Sequence, residues 1–495
     1  MTRRPVPGGV APDTARWGGP AVKGRAGMGR REVLRNGLTV GAGALLLSGI
    51  SACGRQAPQA APQRGPAPTV VRLAPWGGWP AYAGPHWREF IQPALDAFAQ
   101  KHPGLRIHVV APGGGGSFVA EILAGSAPDV FQDWAIAQYR AGNLVLNLDR
   151  YIRQDNLSYS LWSPGQLNAM RDQAGTWFLP CYVHVDAWAV NLSALDALGL
   201  AYPTPDWTYQ EATRLFTAAT SNTGGHHRYG ASLEFPGHTI GSPTGDSDSY
   251  IFHLFGGSMA DATLTRCEVG MAKSYQGVEW ANQLLWAKVA TANSTDLAHV
   301  AFCEVGSNAL VDYLRAWGNN FKWTFFSEPR FPAGQFAFEA TDFYAINAQT
   351  KHPDAAWTVL RYLCAEPAWS RYCMKYLLRT PSIVSLWPEY VATVEAVAPL
   401  VKGKGLHYFT ESAAKWGVAD RVFRYNHPQA ISALNAQAQK AFLRQESVRL
   451  AMRQGAAQVD ALVQAGARET ASGATAAKAF PVVSKQTIAK VTPGL

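Results

Sequence analysis

Residues 101–152 read KHPGLRIHVVAPGGGGSFVAEILAGSAPDVFQDWAIAQYRAGNLVLNLDRYI, and strand and helix patterns alternate along them. The patterns predict, in chain order, a strand over 105–110, a glycine-rich turn over 113–117, a helix over 118–124, a strand over 129–131 and a helix that ends at Asn143. Such alternation is typical of a parallel sheet flanked by helices. The stretch therefore predicts an α/β fold.

Small molecules bind sheets of this kind at the carboxyl ends of the strands. Gly115 and Ser117 lie in the turn after the first strand, and Asp133 and Trp134 follow the second. Flexible glycines, a carboxylate and an indole together indicate a binding cleft. The glycines could instead form a phosphate cradle, but no Gly-Lys-Ser/Thr sequence follows them and no GxGxxG spacing fits.

Three segments, taken in order, resemble the family 1 extracellular solute-binding proteins of ABC importers, the sugar-binding kind. They are KHPG at 101–104, GSAPDVF at 125–131, and AGNL at 141–144 with Leu148-Asp149 and Tyr151-Ile152 after it. The resemblance extends over roughly residues 70–465. It implies a periplasmic-binding-protein-like α/β fold, in which two α/β domains close over a ligand cleft by motion about a hinge.

The net charge of +9 would indicate an acidic partner, but much of it lies at the N-terminus. Residues 1–52 hold eight of the 44 Lys and Arg residues and two of the 35 Asp and Glu residues, so the remainder carries about +3. We therefore expect no nucleic-acid partner. With 495 residues, 47% of them hydrophobic, the chain is long enough to bury two domain cores.

Residues 1–52 resemble a twin-arginine lipoprotein signal peptide. Arg30 and Arg31 precede an apolar run at 38–50, which is too short to span a bilayer because a spanning helix needs about 20 residues. The sequence Ile-Ser-Ala-Cys that ends at Cys53 fits a lipobox, so Cys53 is the expected lipidation site. Translation could start at Met1 or at Met28.

Residues 53–68 form a tether rich in Pro, Ala and Gln, which would hold the rest of the chain near a membrane. Five further cysteines could form bridges, such as Cys267 with Cys303 or Cys364 with Cys373, or could be buried free thiols; the fifth is Cys181. No cysteine or histidine group has zinc spacing, so we expect no metal and no cofactor.

Trp76 and Trp79 lie in a Gly/Pro loop after a predicted strand at 70–74, where the sheet rule again places ligand. Indole faces stack well on the apolar faces of sugar rings. The two tryptophans could also simply cover the core. The helix that follows is predicted to bury one face, made of Trp87, Phe90, Ile91, Ala94, Leu95 and Phe98.

Residues 181–191 alternate in polarity, which predicts a strand with one apolar and one polar face. In the family the corresponding segment crosses between the domains and forms hinge and cleft wall. The resemblance therefore implies ligand contacts for Tyr182, Asp186 and Trp188. His184 with Asp186 could also be a general base and its orienting carboxylate, but nothing nearby looks like a nucleophile.

Further ligand positions follow from the resemblance. Family members carry a helix and a cleft-lining loop residue where this chain has 300–317, and a strand at 336–346 returns to the first domain. Glu234, near the start of the second domain, is a further candidate for a carboxylate that contacts the ligand. The additional predicted ligand contacts are Trp317, Thr341, Asp342, Phe343 and Glu234.

Several other elements are also predicted, the helices over 246–255 and 351–363 from the resemblance and the others from local pattern. Thr208 is expected to cap a helix that ends near Ala219, with Glu211 completing a capping box. The remaining predictions are helices over 246–255, 274–289 and 351–363, a strand over 321–326, and alanine-rich helices before residue 465.

The predicted organisation has five parts. They are the signal peptide at 1–52, the tether at 53–68, an N-terminal α/β lobe from 69–182 with 345–400, a C-terminal α/β lobe from 183–344 with parts of 401–465, and a tail at 466–495.

Together these features predict an exported, monomeric substrate-binding lipoprotein of an ABC importer. It would be anchored through Cys53 at the outer face of the membrane or in the periplasm, bind a sugar or oligosaccharide without transforming it, and deliver it to the permease subunits. One alternative is an exported carbohydrate-active enzyme that pairs Asp133 with Glu234 or Asp342. Another is a ligand-loaded partner of a receptor. The sequence reveals no convergent Arg or Lys for an anionic solute, and a peptide ligand stays open.

Overall fold

The structure is a computed structural model, and all of the residues that it describes belong to one compact unit, residues 64–495. It describes residues 67–75, 87–110, 118–133, 139–140, 142–172, 175–223, 226–233, 250–292, 294–419 and 423–471. The signal peptide, most of the tether, the glycine-rich turn and residues 472–495 lie outside these ranges.

The described strands are β1 (Thr69–Ala74), β2 (Leu105–Val109), β3 (Val130–Asp133), β4 (Arg171–Asp172), β5 (Gly175–Thr176), β6 (Leu179–Asn191), β7 (Ser221–Thr223), β8 (His226–Leu233), β9 (Ala290–Ala292), β10 (Val300–Gly306), β11 (Trp323–Phe326), β12 (Ala337–Ile346) and β13 (Gly417–Ala419).

The described α-helices are α1 (Trp87–Lys101), α2 (Val119–Leu123), α3 (Asp149–Gln154), α4 (Pro164–Met170), α5 (Leu192–Leu198), α6 (Tyr209–Ala219), α7 (Tyr250–His253), α8 (Ala272–Trp286), α9 (Leu310–Trp317), α10 (Pro353–Ala365), α11 (Pro367–Leu377), α12 (Trp387–Val397), α13 (His407–Trp416), α14 (His427–Phe442) and α15 (Val448–Ala471). Short 3-10 turns lie at Tyr159–Leu161, Ser307–Ala309, Val384–Leu386 and Pro399–Val401.

The first three strands form the parallel sheet that residues 101–152 predict. β1 lies between β2 and β3 and pairs in parallel with both. The predicted strands and the helix between them are confirmed to within two residues. Helix α1 buries Ile91, Ala94, Leu95 and Phe98, as their spacing predicts.

Two long strands, β6 and β12, run through the middle of a single sheet and are called the crossing strands below. The sheet order is β2-β1-β3-β12-β6-β10-β8-β7, with β13 beside β12, β11 beside β6 and β9 beside β8. β12 is antiparallel to both β3 and β6, and the second half of β6 is antiparallel to β10 and β11. The crossing strands therefore connect the parallel β1–β3 region with the region around β8 and β10.

Strand β6 contains the predicted apolar and polar faces, and both of them are buried. The alternation in the sequence is present, but all 13 residues are buried. The polar side chains are buried because other elements cover them and supply partners, such as Asp342 for His184 and Glu328 for Trp188. The predicted strand and its two faces are therefore confirmed, and the polar face is buried as well.

Three large hydrophobic cores lie along the sheet. The first joins residues 71–182 to 343–377, and the second joins residues 188–338 to 423–463. The third joins residues 187–325 to 374–409. The crossing strands contribute residues to all three cores. The exact lobe boundaries stay a prediction.

The structure of residues 300–317 differs from the arrangement that the resemblance implies. The resemblance implies a helix and a loop there, whereas the structure has strand β10 followed by a 3-10 turn and helix α9. All seven residues of β10 are buried between β6 and β8. Strands that are buried on both faces carry nearly continuous apolar runs such as VAFCEVG, and this favours the strand.

The last two described helices form a close antiparallel pair. A Cβ atom at Gly455 in α15 would lie 2.9 Å from Leu434 Cδ1 in α14, so glycine permits this approach. Val448, Met452 and Val459 are buried as predicted. Helix α15 continues to Ala471, so the ordered part of the chain extends past the predicted start of the tail at 466.

The five cysteines of the described region are free and buried. The sequence was compatible with disulfides or with buried thiols, and the structure contains buried thiols at these five positions. Burial raises the thiol pKa of each cysteine, to about 12 for Cys267 and Cys373. Thiols with raised pKa react slowly, because the thiolate is the reactive form.

No helix within the described ranges combines the length and the hydropathy that a bilayer span requires.

The predicted capping box of α6 is confirmed and gives a first testable prediction. The Glu211 N–H donates to Thr208 Oγ1 at 3.3 Å, and the Thr208 N–H donates to Glu211 Oε2 at 2.7 Å. We expect Thr208→Ala to lower the free energy of unfolding by about 1 kcal/mol, measured in urea. Thr217→Ala, on the exposed side of the same helix, is the control and should have no such effect. Equal losses in both variants would contradict the capping role.

Candidate functional site

The structure brings five of the predicted ligand residues together where β3, β12 and β6 lie side by side. Phe343 on β12 is the register partner of Asp133 on β3, and Asp342 is the partner of Tyr182 on β6. Thr341 pairs with Val183 one position further along. Asp133 and Phe343 are 210 positions apart in the sequence and Tyr182 and Asp342 are 160 apart, and antiparallel pairing makes them neighbours.

Asp133 ends β3 and contacts the start of helix α2. Its carboxylate accepts hydrogen bonds from the Tyr139 hydroxyl and, at 3.4 Å, from the Phe118 N–H. The Phe118 N–H also donates to the Tyr139 hydroxyl at 2.7 Å. This network fixes the carboxylate at the carboxyl end of β3, where the parallel-sheet rule predicts ligand.

His184 and Asp342 form a buried pair between the two crossing strands. His184 Nε2 lies 2.9 Å from Asp342 Oδ2, and the two side chains are 11% and 1% exposed. His184 Nδ1 has no hydrogen-bond partner in the described part of the chain. The pair therefore joins β6 to β12 through side chains as well as through the backbone. The Tyr182 hydroxyl forms a hydrogen bond with Cys373 Sγ at 3.2 Å.

Further along β6, buried carboxylates gather beside β10. Asp186 pairs in register with Gly306, and a Cβ atom on that glycine would lie 3.2 Å from Asp186 Oδ1. The Tyr250 hydroxyl donates to Glu304 Oε1. Burial, followed by the charges of Glu304 and its acidic neighbours, raises the pKa of Tyr250 well above its usual value, so the phenol stays protonated and donates.

Two predicted ligand tryptophans lie within hydrophobic cores. Trp188 is 1% exposed, stacks on Phe216 with ring centroids 4.9 Å apart, and donates its indole N–H to Glu328 Oε2 at 2.6 Å. Trp317 is 2% exposed, stacks on Tyr313 and donates to the Thr295 carbonyl oxygen. In this conformation both indoles serve packing, and neither presents a free face to a ligand.

Two arginines from distant parts of the chain come close to each other. Burial, and then repulsion by Arg424, lowers the pKa of Arg140 to about 10. Arg140 follows Tyr139, which bonds Asp133, and so belongs to the same region. The sequence did not reveal this convergence, because 284 positions separate the two residues.

Six predicted ligand residues lie outside the described ranges: Trp76, Trp79, Gly115, Ser117, Trp134 and Glu234. Cys53, the predicted lipidation site, also lies outside them. Their roles stay predictions.

The sequence analysis missed several polar residues of this region. Glu304, Glu328 and Glu339 are all buried at or beside the crossing strands. A signal was available for Glu304 and Glu339, since each interrupts an apolar run of strand character. Glu328 follows the aromatic strand β11 and gives no comparable signal.

The described residues contain no group of three or more His, Cys, Asp or Glu side chains arranged to hold a metal ion. Asp133 and Asp342, two carboxylates of the enzyme alternative, bond Tyr139 and His184 respectively. These contacts hold both carboxylates in place.

Hydrophobic cores joined by crossing strands, with polar groups where the strands meet, define a periplasmic-binding-protein-like fold. The chain belongs to the bacterial extracellular solute-binding protein family, whose model matches residues 84–368. The predicted family and fold class are therefore confirmed. Membership implies an exported protein of a family of binding proteins. No curated protein sequence matches the chain.

Solved structures share this fold at low sequence identity. The ABC substrate-binding protein Lmo0181 from Listeria monocytogenes, in complex with cycloalternan, has a TM-score of 0.63 at 14% identity, over 80% of this chain and 98% of that one. The cyclic alpha-maltosyl-1,6-maltose binding protein from Arthrobacter globiformis has a TM-score of 0.64 at 15% identity, over 81% and 100%. The sugar-binding protein MalE from Xanthomonas citri gives 0.63 at 15% identity, over 82% and 99%.

Proposed function

We propose that the chain is the extracytoplasmic substrate-binding lipoprotein of an ABC importer. It binds a sugar or oligosaccharide in a cleft between two lobes, residues 69–182 with 345–400 and residues 183–344 with parts of 401–465, and delivers it to the permease subunits. The observation that carries the proposal is the pair of crossing strands between separate hydrophobic cores, where Tyr182 and Asp342 lie in register and Asp133 of the neighbouring strand β3 pairs with Phe343.

A carbohydrate ligand is supported by the chemistry of this region and by the neighbours. Carboxylates and imidazoles hydrogen-bond sugar hydroxyls, and both occur where the strands meet. Structural neighbours bind cycloalternan, mannobiose or tagatose, according to their descriptions. Trp76, Trp79 and Trp134 are proposed as the stacking surfaces, since Trp188 and Trp317 are packed in cores.

The export and anchoring of the protein are proposed from its first 68 residues. A twin-arginine signal would direct export, and acylation at Cys53 would anchor the mature chain through the tether. An anchor of this kind keeps a binding protein close to its permease and raises its effective concentration there. We propose a monomer.

Thermal unfolding of the purified protein tests ligand binding. We expect one class within a panel of linear and cyclic glucans, mannobiose, simple sugars and a uronate oligosaccharide to stabilise it, by about 2.7 kcal/mol at 100 times the dissociation constant. The uronate is included because Arg140 and Arg424 converge. Each active ligand is recovered and examined for cleavage.

The outcomes separate binding from catalysis. A ligand that stabilises the protein and is recovered intact supports a binding function. Cleavage products would instead indicate an enzyme in which the carboxylates are catalytic. Trp134→Ala should weaken the stabilisation, whereas Tyr376→Ala, at an exposed tyrosine on α11, should leave it unchanged. Absence of any stabilising carbohydrate would contradict the proposed ligand class.

A further inference from the structure

Glu339 lies at the point where three segments meet around the crossing strands. On β12 it pairs with Val185 of β6 on one side and with Ala419 of β13 on the other. Its side chain reaches Ser163, the residue that precedes helix α4. Helix α4 itself contributes Met170 to the first core. Glu339 thus links α4, a crossing strand and the C-terminal segment.

The carboxyl group of Glu339 is held in a tight cradle. The Ser163 hydroxyl donates to Glu339 Oε1 at 2.6 Å and accepts from the Gln166 N–H at 3.2 Å. A Cβ atom at Gly165 would lie 2.8 Å from both carboxyl oxygens, and one at Gly417 would lie 1.9 Å from Oε2. Both glycines therefore leave the space that the carboxyl group occupies.

No cation compensates the carboxyl group within the described residues. Helix α4 and strand β13 carry no charged residue. On β6 two titratable residues flank Val185: His184 pairs with Asp342 of β12, and Asp186 lies in register with Gly306 of β10. On α13, Glu411 and Lys415 pair with each other at 3.9 Å and are partly exposed; His407, at the start of α13, is exposed.

The uncharged form of Glu339 is favoured at this position. The residue is fully buried, and its Oε2 atom has no hydrogen-bond partner in the described part of the chain. Burial raises the pKa of Glu339 from 4.5 to about 7, and the hydrogen bonds from Ser163 and Gln166 act in the opposite direction. The group therefore changes charge near neutral pH.

We propose that Glu339 is a proton-operated latch, whose uncharged carboxyl group holds α4 against the crossing strands and whose ionisation loosens that junction. A carboxylate without a cation is costly to bury, so it drives the cradle to open toward water. Lobe closure would then depend on pH, and this last consequence rests on the proposed function.

The sign of the effect follows from proton binding. Between pH 4.5 and 7 the unfolded chain has lost the Glu339 proton while the folded protein keeps it. The folded state binds more protons, so stability falls as pH rises through this window and levels off above it. From pH 5.5 to 8.5 this group alone should raise the unfolding constant about 30-fold.

The experiment compares wild type with Glu339→Gln, in which the group stays uncharged, by chemical unfolding of the full chain at pH 5.5 and 8.5. We expect the unfolding constant of wild type to rise about 30-fold more than that of the variant between the two pH values. Glu411→Gln, at a partly exposed carboxylate on α13, should follow wild type. An equal pH dependence in wild type and Glu339→Gln would overturn the latch.

A second measurement does not depend on the folding of that variant. Carbon-13 NMR of the wild-type Glu339 carboxyl group should give a midpoint near pH 7, and Ser163→Ala should move it upward, because the lost hydrogen bond favours the ionised form. A midpoint near 4.5 in wild type would overturn the proposal. Neither measurement requires a ligand, so failure of the latch is distinct from failure of the proposed function.

Discussion

Replacing Gly230 by alanine is expected to lower the free energy of unfolding by about 3 kcal/mol, because the new methyl group has no space. Gly230 lies in β8, and a Cβ atom there would stand 1.8 Å from the Phe216 carbonyl oxygen and 2.9 Å from its Cα atom. Both atoms belong to the backbone of helix α6, which a rotamer change cannot move. The helix would have to shift away from the sheet. Chemical unfolding measures the loss.

A matched glycine controls for the change in chain entropy. Gly104, in the turn between α1 and β2, has no atom within 4 Å of its Cβ position. Gly104→Ala should therefore stay within about 0.5 kcal/mol of wild type. If Gly230→Ala unfolds like Gly104→Ala, then α6 and β8 do not approach each other as closely as the structure indicates.

The parts of the fold that depend on nearby residues could be predicted from the sequence. The buried face of α1 repeats every three or four residues, and the capping box of α6 spans Thr208 to Glu211. The alternation of strands and helices in 101–152 needs only local pattern as well. In each case the interacting residues lie within one element or one turn, so their spacing carries the information.

Contacts between distant residues could not be predicted. The hydrogen bond from Ser163 to Glu339 joins residues 176 positions apart, and that from Trp188 to Glu328 joins residues 140 apart. Both depend on which face of its strand Glu339 or Trp188 occupies, and a shift of the register by one residue would turn that side chain to the other face. The sequence contains the residues but no local signal that fixes this register.

The sequence also did not determine whether the Trp188 indole contacts a ligand or packs in a core. The alternation along 181–191 places Trp188 on the polar face of the strand. In the family that this chain resembles, the corresponding segment lines the cleft, so a ligand contact was expected. Phe216 of helix α6, and Trp207 just before that helix, pack against the indole. Whether a tryptophan stacks on sugar or on phenylalanine depends on which element covers it, and that is a property of tertiary structure.

Trp188 therefore gives a prediction that separates the two roles. We expect Trp188→Ala to lower the free energy of unfolding by about 3–5 kcal/mol, since it empties a large, fully buried site. Trp188→Phe keeps an aromatic ring beside Phe216 but removes the N–H that Glu328 accepts at 2.6 Å. Loss of a hydrogen bond to a buried carboxylate should cost about 1.5–3 kcal/mol. Unfolding in urea measures both losses.

Trp286→Phe is the control, because its indole donates to a neutral acceptor, the Phe442 carbonyl oxygen, from a partly buried position. It should cost about 1 kcal/mol, less than Trp188→Phe. Titration of the ligand found in the stabilisation panel completes the test. A packing role requires that Trp188→Phe lose stability and bind with unchanged affinity. If the variant instead keeps its stability and loses tenfold or more in affinity, Trp188 contacts the ligand, and the conformation that binds sugar must expose a ring that is buried here.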